Sequence, residues 1–206
     1  MKILNLYAGI GGNRKSWGDE HDVTAVEYDE SIARIYSDYF PNDKMVIGDA
    51  HDYLINNYMH FDFIWSSPPC PTHSRARHAI AVSGVKDDML PVYTNMSLYQ
   101  EILLLQYYSN GGHCVENVKP YYEPLIPAQE RDRHLFWANF YIRDYSHSIA
   151  KHNMKITESA KIMGYDLSSY KNIDCRRILR NCVLPEVGRY ILDCYINQTP
   201  DLFKFS

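Results

Sequence analysis

Lys2-Ile3-Leu4-Asn5-Leu6-Tyr7-Ala8-Gly9-Ile10-Gly11-Gly12 is the stretch whose reading decides the fold. Lys2 to Tyr7 has the composition of a strand and runs directly into a glycine turn. Asn13 to Gly18, which follows, has the length of a short helix. Glycines in such a turn let a ligand approach the backbone, and amide N–H groups at a helix start face an anion. A dinucleotide fingerprint starting at Gly9 needs glycine at position 14, where Arg14 stands, so a nicotinamide ligand is disfavoured and another nucleoside stays open.

Outward from this turn the pattern repeats. Val23 to Glu27, Lys44 to Ile47, Phe61 to Trp65 and His113 to Glu116 read as strands, and a later one spans Leu135 to Ile142. Ser31 to Phe40, Ala50 to Tyr58 and Asn95 to Tyr108 have helix length and apolar spacing, and Pro41 ends the first of them. Alternation of this kind predicts an α/β fold, a mostly parallel sheet with helices on both faces, whose ligands lie beyond the carboxyl ends of the strands. Glu27 ends the second strand, where its carboxylate can accept ribose hydroxyls. Asp49 follows the third, where it can accept an adenine amino proton. The fourth ends in Ser66-Ser67-Pro68-Pro69-Cys70-Pro71, a cysteine held in a proline-framed turn, and the fifth in Glu116-Asn117-Val118. Cys70 is the candidate nucleophile and Glu116 the candidate acid beside it. The longest loop expected is Ser66 to Pro91.

The 206 residues suit one domain, with no linker or repeat to divide them. No apolar run approaches a membrane span, and the expected location is the cytoplasm. Five cysteines without a Cys-x-x-Cys pair predict reduced thiols and no metal site, and His73, Ser74 and His78 bring no further ligand spacing. The formal charge of -4 is unevenly spread, because 11 Lys and Arg meet 6 Asp and Glu between Arg131 and Arg189. That stretch is the candidate polyanion-facing side.

Ala8-Gly9-Ile10-Gly11-Gly12, Pro68-Pro69-Cys70 and Glu116-Asn117-Val118, in this order, resemble the DNA cytosine C5-methyltransferases. Thr157 to Tyr165 resembles that family's late helix motif and Asn181 to Pro185 its final one. The resemblance implies a Rossmann-like methyltransferase fold and S-adenosylmethionine as cofactor. Tyr7, Gly9, Gly11, Gly12, Glu27, Tyr28, Asp49, Ala50, Pro68, Asn181 and Val183 would then hold the cofactor. It also implies Cys70 as the thiolate that adds to C6 of cytosine, Glu116 as the acid with a raised pKa, Asn117 as a residue holding the base, and Arg133 as the arginine that contacts the base and favours the thiolate. DNA is the implied partner.

Two departures stand out. Asn13 occupies the place of an aromatic residue, beside Arg14-Lys15, which would suit a modified donor carrying an extra carboxylate. Between the strand ending at Ile142 and Thr157 only Arg143 to Ile156 remain, so segment 143–156 is a vestige of the family's target-recognition domain. Relaxed specificity, a partner subunit that reads sequence, or a substrate such as RNA or a free nucleotide would each account for it. A catalytically idle DNA-binding subunit is the rival from another class. A restriction-modification enzyme, a phage self-protection enzyme and an orphan regulator would share these features.

Overall fold

Residue-by-residue alternation lets one sheet carry two cores. Along β1 (Lys2–Leu6) Ile3 faces one layer while Leu4 and Leu6 face the other, and along β4 (Phe63–Ser66) Phe63 and Trp65 oppose Ile64. Both strands are buried on both faces, as parallel strands covered by helices must be. In the computed structural model, residues 1–84, 90–145 and 155–198 are described. With β2 (Asp22–Glu27), β3 (Lys44–Ile47), β5 (Gly112–Val118), β6 (Gln129–Arg131) and β7 (His134–Ala138), the sheet order is β3-β2-β1-β4-β5-β7-β6. β1 to β5 pair in parallel, and β7 runs antiparallel to both β5 and β6.

The helices are α1 (Glu30–Tyr39), α2 (Ala50–Asn57), α3 (Arg75–Ser83), α4 (Ser97–Tyr108), α5 (Ile156–Met163), α6 (Cys175–Asn181) and α7 (Pro185–Ile196). Ala50 and Leu54 of α2 and Leu98, Tyr99, Ile102 and Leu105 of α4 cover the Leu4–Ile64 face. Val187, Ile191 and Leu192 of α7 cover the Ile3–Trp65 face, and Tyr36 of α1 packs on Ala25. Burying Trp17, Trp65 and Phe63 there contributes about 2–3 kcal/mol for each side chain. The Trp17 indole N–H donates to the Gly188 carbonyl at 3.1 Å, tying α7 to the turn after β1.

The strands emerge close to expectation, and β3 matches residue for residue. β6, α6 and α7 stand where no element was expected, and three of the expected segments differ. The helix expected over Asn13 to Gly18 is a single 3-10 turn, Arg14–Ser16, cut off by Gly18 in the left-handed region at φ +90°. The loop expected from Ser66 to Pro91 contains α3, ended by Gly84 at φ +65°. None of the α3 residues is buried, so no apolar periodicity betrays it. The strand expected over Leu135 to Ile142 ends at Ala138, because the Asn139 side chain takes over the pairing. Its Oδ1 accepts from the His113 N–H at 2.9 Å and its Nδ2 donates to the Gly111 carbonyl at 3.0 Å. Of segment 143–156, residues 146–154 lie outside the described residues. Among the described residues no helix is long and apolar enough to cross a membrane.

Candidate functional site

The parallel strands end side by side, so the loops after β1, β2, β3, β4 and β5 share one edge of the sheet. At its centre is the glycine turn. Gly9, at φ +56°, has open space where a side chain would stand, whereas a Cβ on Gly11 would meet Phe40 at 2.4 Å and one on Gly12 the Val183 carbonyl at 2.3 Å. Gly9 thus leaves a cradle open to a ligand; Gly11 and Gly12 owe their identity to packing against α1 and the segment before α7.

Glu27 orients this cradle. Its Oε2 accepts from the Gly9 N–H at 2.9 Å and its Oε1 from the Asp29 N–H at 3.0 Å, leaving a lone pair on each oxygen for ribose hydroxyls. Tyr28 beside it is exposed. Asp49 caps α2 through Oδ1, which accepts from the N–H groups of His51 and Asp52, and keeps Oδ2 for a ligand. Asp49 lines a cavity together with Tyr7, His51, Pro68, Pro69 and His73, while Ala50 is buried behind it. The open cradle, the oriented carboxylate and this cavity fit an adenosine-bearing ligand.

A second cavity lies beside β5 and β7. Glu116, Arg133, His134, Tyr145 and Arg180 line it, joined by Asn181 at the end of α6 and Val183 after it. Asn181 and Val183, expected at the cofactor, border the Glu116 cavity, and the Val183 carbonyl lies 2.3 Å from where a Cβ on Gly12 would stand. Cys70 follows Pro68 and Pro69, which line the first cavity. Its thiol is half-buried and is pushed up from its ordinary pKa, first by burial and then by the nearby Glu116 charge. Arg133 is an exposed residue of the β6–β7 hairpin and lines the Glu116 cavity. Asn117 is buried with both ends of its amide on the protein. Its Nδ2 donates to the Pro68 carbonyl and its Oδ1 accepts from the Val118 N–H, both at 2.9 Å. It holds the proline turn, where a contact with the base was expected.

The cations after the glycine turn face inward. The Arg14 guanidinium binds both oxygens of Asp43, at 2.8 and 3.0 Å, and is 3% exposed. Lys15 lies over the rings of Tyr39 and Tyr165, at 4.3 and 4.5 Å. Neither offers itself to a carboxylate on a modified donor. Asn13 is buried and donates to Asn5 Oδ1 at 2.7 Å. Among the described residues no group of His, Cys, Asp and Glu could hold a metal.

Sequence reasoning missed three residues of this edge. His134 places Nε2 at 3.5 Å from Glu116 Oε1. Glu101, in α4, is fully buried and meets Tyr7, Ser66 and His51. His51 is raised above its ordinary pKa, chiefly by its bond to Glu101, against the effect of burial. A lone acid in the apolar run of α4 was the one signal available.

Residues 1–97, a little under half of the chain, match the family model of C-5 cytosine-specific DNA methylases. No curated protein matches the sequence. Among solved structures, the Entamoeba histolytica methyltransferase EhMeth is 12% identical. The match covers 96% of this chain and 98% of that one with a TM-score of 0.56, a likeness of fold. A Spodoptera frugiperda DNMT2 variant is 28% identical over 57% of this chain and 35% of its own, with a TM-score of 0.38. The chain thus has a methyltransferase fold, and its residues 1–97 are similar in sequence to the C-5 cytosine-specific DNA methylases.

Proposed function

We propose that the protein transfers a methyl group from S-adenosylmethionine to C5 of cytosine in DNA through a covalent adduct between Cys70 and C6. The observation that carries this reading is the Cys70 turn itself. Its prolines line the Asp49 cavity while its thiol lies under the charge of Glu116, which lines the other. S-adenosylmethionine, when bound, supplies an electrophilic methyl group on a sulfonium. Gly9, Glu27, Asp49 and Tyr7 hold it on the side of β1 to β3, and the base enters beside Glu116.

The residues then divide the chemistry. Cytosine C5 is a weak nucleophile, and a thiolate adding to C6 turns it into an enamine carbon. Cys70 forms that C6–S bond. Glu116 carries a proton at its carboxyl and gives it to N3 as the ring gains charge. Protonating Glu116 also removes the negative charge that opposes the Cys70 thiolate, so base binding and thiol activation are coupled. Arg133 lies in the Glu116 cavity, where it meets the bound base, and Asn117 keeps the proline turn in place. After transfer the C5 proton leaves to solvent, N3 returns its proton to Glu116, and Cys70 is eliminated as a thiolate that regains from solvent the proton it gave up on attack, restoring the aromatic ring.

DNA is favoured by the family match of residues 1–97 and by the exposed Arg176, Arg177 and Arg180 of α6, Arg180 reaching the cavity of Glu116. With Arg143 to Ile156 as its whole recognition segment, the chain reads at most a short context, and longer sequence reading falls to a partner subunit. Nucleoside mass spectrometry after incubation with S-adenosylmethionine and DNA, RNA or free nucleotides tests the reading. The expected result is 5-methylcytosine in DNA that disappears with Cys70→Ala. Product in RNA or nucleotide alone transfers the mechanism to that substrate, and product that survives Cys70→Ala overturns it.

A further inference from the structure

Glu101 is 0% exposed in the middle of α4, where its inward neighbours Leu98, Ile102 and Leu105 are apolar. An ionised acid in such surroundings is costly unless its oxygens are met by donors. Three donors meet it. The Tyr7 hydroxyl donates to Oε1 at 2.5 Å, the Ser66 hydroxyl to Oε2 at 2.7 Å, and His51 Nδ1 lies 3.0 Å from Oε1. They come from the residue after β1, the last residue of β4 and the first turn of α2, three points far apart in sequence. Tyr7, His51 and the prolines after Ser66 all line the Asp49 cavity. Tyr7 is also held at φ +54°, a left-handed backbone that disfavours a bulky side chain. A conformation of this kind persists only where its surroundings fix it. The bond to Glu101 is such a constraint, and it directs the chain into the Gly9 cradle.

We propose that Glu101 is the positioning residue of the donor site. From behind the cavity it binds the end of β1, the end of β4 and the start of α2, and so fixes the glycine turn relative to the Cys70 turn. The inference rests on reading this cavity as the S-adenosylmethionine pocket. Glu101 touches neither donor nor base; it acts through Tyr7, Ser66 and His51.

The test is calorimetric binding of S-adenosylhomocysteine to the full chain, with steady-state kinetics on DNA, for wild type, Glu101→Gln, Tyr7→Phe, Ser66→Ala and the Glu101→Gln/Tyr7→Phe pair. Glu101→Gln keeps the size of the side chain and loses one acceptor. It is expected to raise the Kd and the donor KM roughly tenfold, with kcat at saturating donor and the KM for DNA within about twofold of wild type. Tyr7→Phe and Ser66→Ala each raise the Kd by about threefold, and Tyr7→Phe in the Glu101→Gln background costs less than the sum of the two, because both weaken one hydrogen-bonded network. An acid that merely stabilised the fold would lower the melting temperature without this split or this non-additivity. Wild-type Kd in Glu101→Gln overturns the inference. If that variant does not fold, wild-type Kd in both single-arm variants overturns it. Failure of the wild type itself to bind S-adenosylhomocysteine removes the reading of the cavity, and this inference with it; binding by wild type with unchanged variants removes the inference alone.

Discussion

His134 Nε2 lies 3.5 Å from Glu116 Oε1, across the antiparallel pairing of β5 with β7 that sets Val118 opposite His134. The approach puts an imidazole beside the carboxyl that the proposed mechanism uses, in the cavity that Arg133 also lines. His134→Asn is expected to lower kcat roughly tenfold while leaving S-adenosylhomocysteine affinity unchanged, since the donor cavity is lined by other residues. Turnover and calorimetry on the same preparation check it; a parallel loss of donor binding would assign His134 to the fold.

Burial, and then the Glu116 charge, push the Cys70 thiol above its ordinary pKa. Iodoacetamide should alkylate it more slowly than it alkylates free cysteine at pH 8. Glu116→Gln removes the negative charge, lowers the thiol pKa and speeds alkylation. The rate measured against pH reads both effects, and an unchanged or slower rate in Glu116→Gln contradicts the coupling.

His113 is buried on β5 with neither ring nitrogen bonded, and burial lowers its pKa from 6.5 to about 4. The unfolded chain therefore binds a proton that the folded one refuses between about pH 6.5 and 4. Stability from this residue is complete above pH 6.5 and falls as pH drops towards 4, by on the order of 3 kcal/mol. Urea unfolding of His113→Leu should show a correspondingly flatter loss over that window, and a slope equal to that of wild type would refute the assignment.

Arg14 and Asp43 form a buried pair, their side chains 4% and 2% exposed. Asp43→Ala leaves the guanidinium without its partner and should cost about 3–5 kcal/mol, measured by urea unfolding. Tyr36, whose hydroxyl donates to Asp43 at 2.7 Å, would lose an acceptor as well. A loss below about 1 kcal/mol would show that water replaces the carboxylate.

Gly12 has no room for a side chain, since a Cβ would stand 2.3 Å from the Val183 carbonyl and 2.7 Å from Cys182 Sγ. Gly12→Ala is expected to destabilise the chain by about 1–3 kcal/mol as the segment before α7 is pushed away. The same substitution at Gly48, which has open space, should change stability far less. Thermal unfolding of the two variants compares them directly.

Much of this was legible in the sequence. Short apolar runs with glycine, acid, cysteine or acid at their ends predict parallel strands and an edge of functional residues, because parallel pairing aligns those ends whatever lies between them. β3, and the bounds of α2 and α4 to within two residues, followed from local composition, and so did the glycine turn. Elements without a buried face, such as α3, left no periodic trace. Neither did β6, which is only three residues long.

The sequence by itself determined the order of the elements and the residue types at the strand ends, for those depend on neighbours along the chain. Only the tertiary structure decided which of these side chains remain free for a ligand. Arg14 looked available and is taken by Asp43; Asn117 looked aimed at a base and holds Pro68; Glu101 looked like an ordinary helix residue and joins three loops. A buried polar group must be met by whatever donor or acceptor packing brings near it, and those partners here lie as many as 94 residues away in sequence.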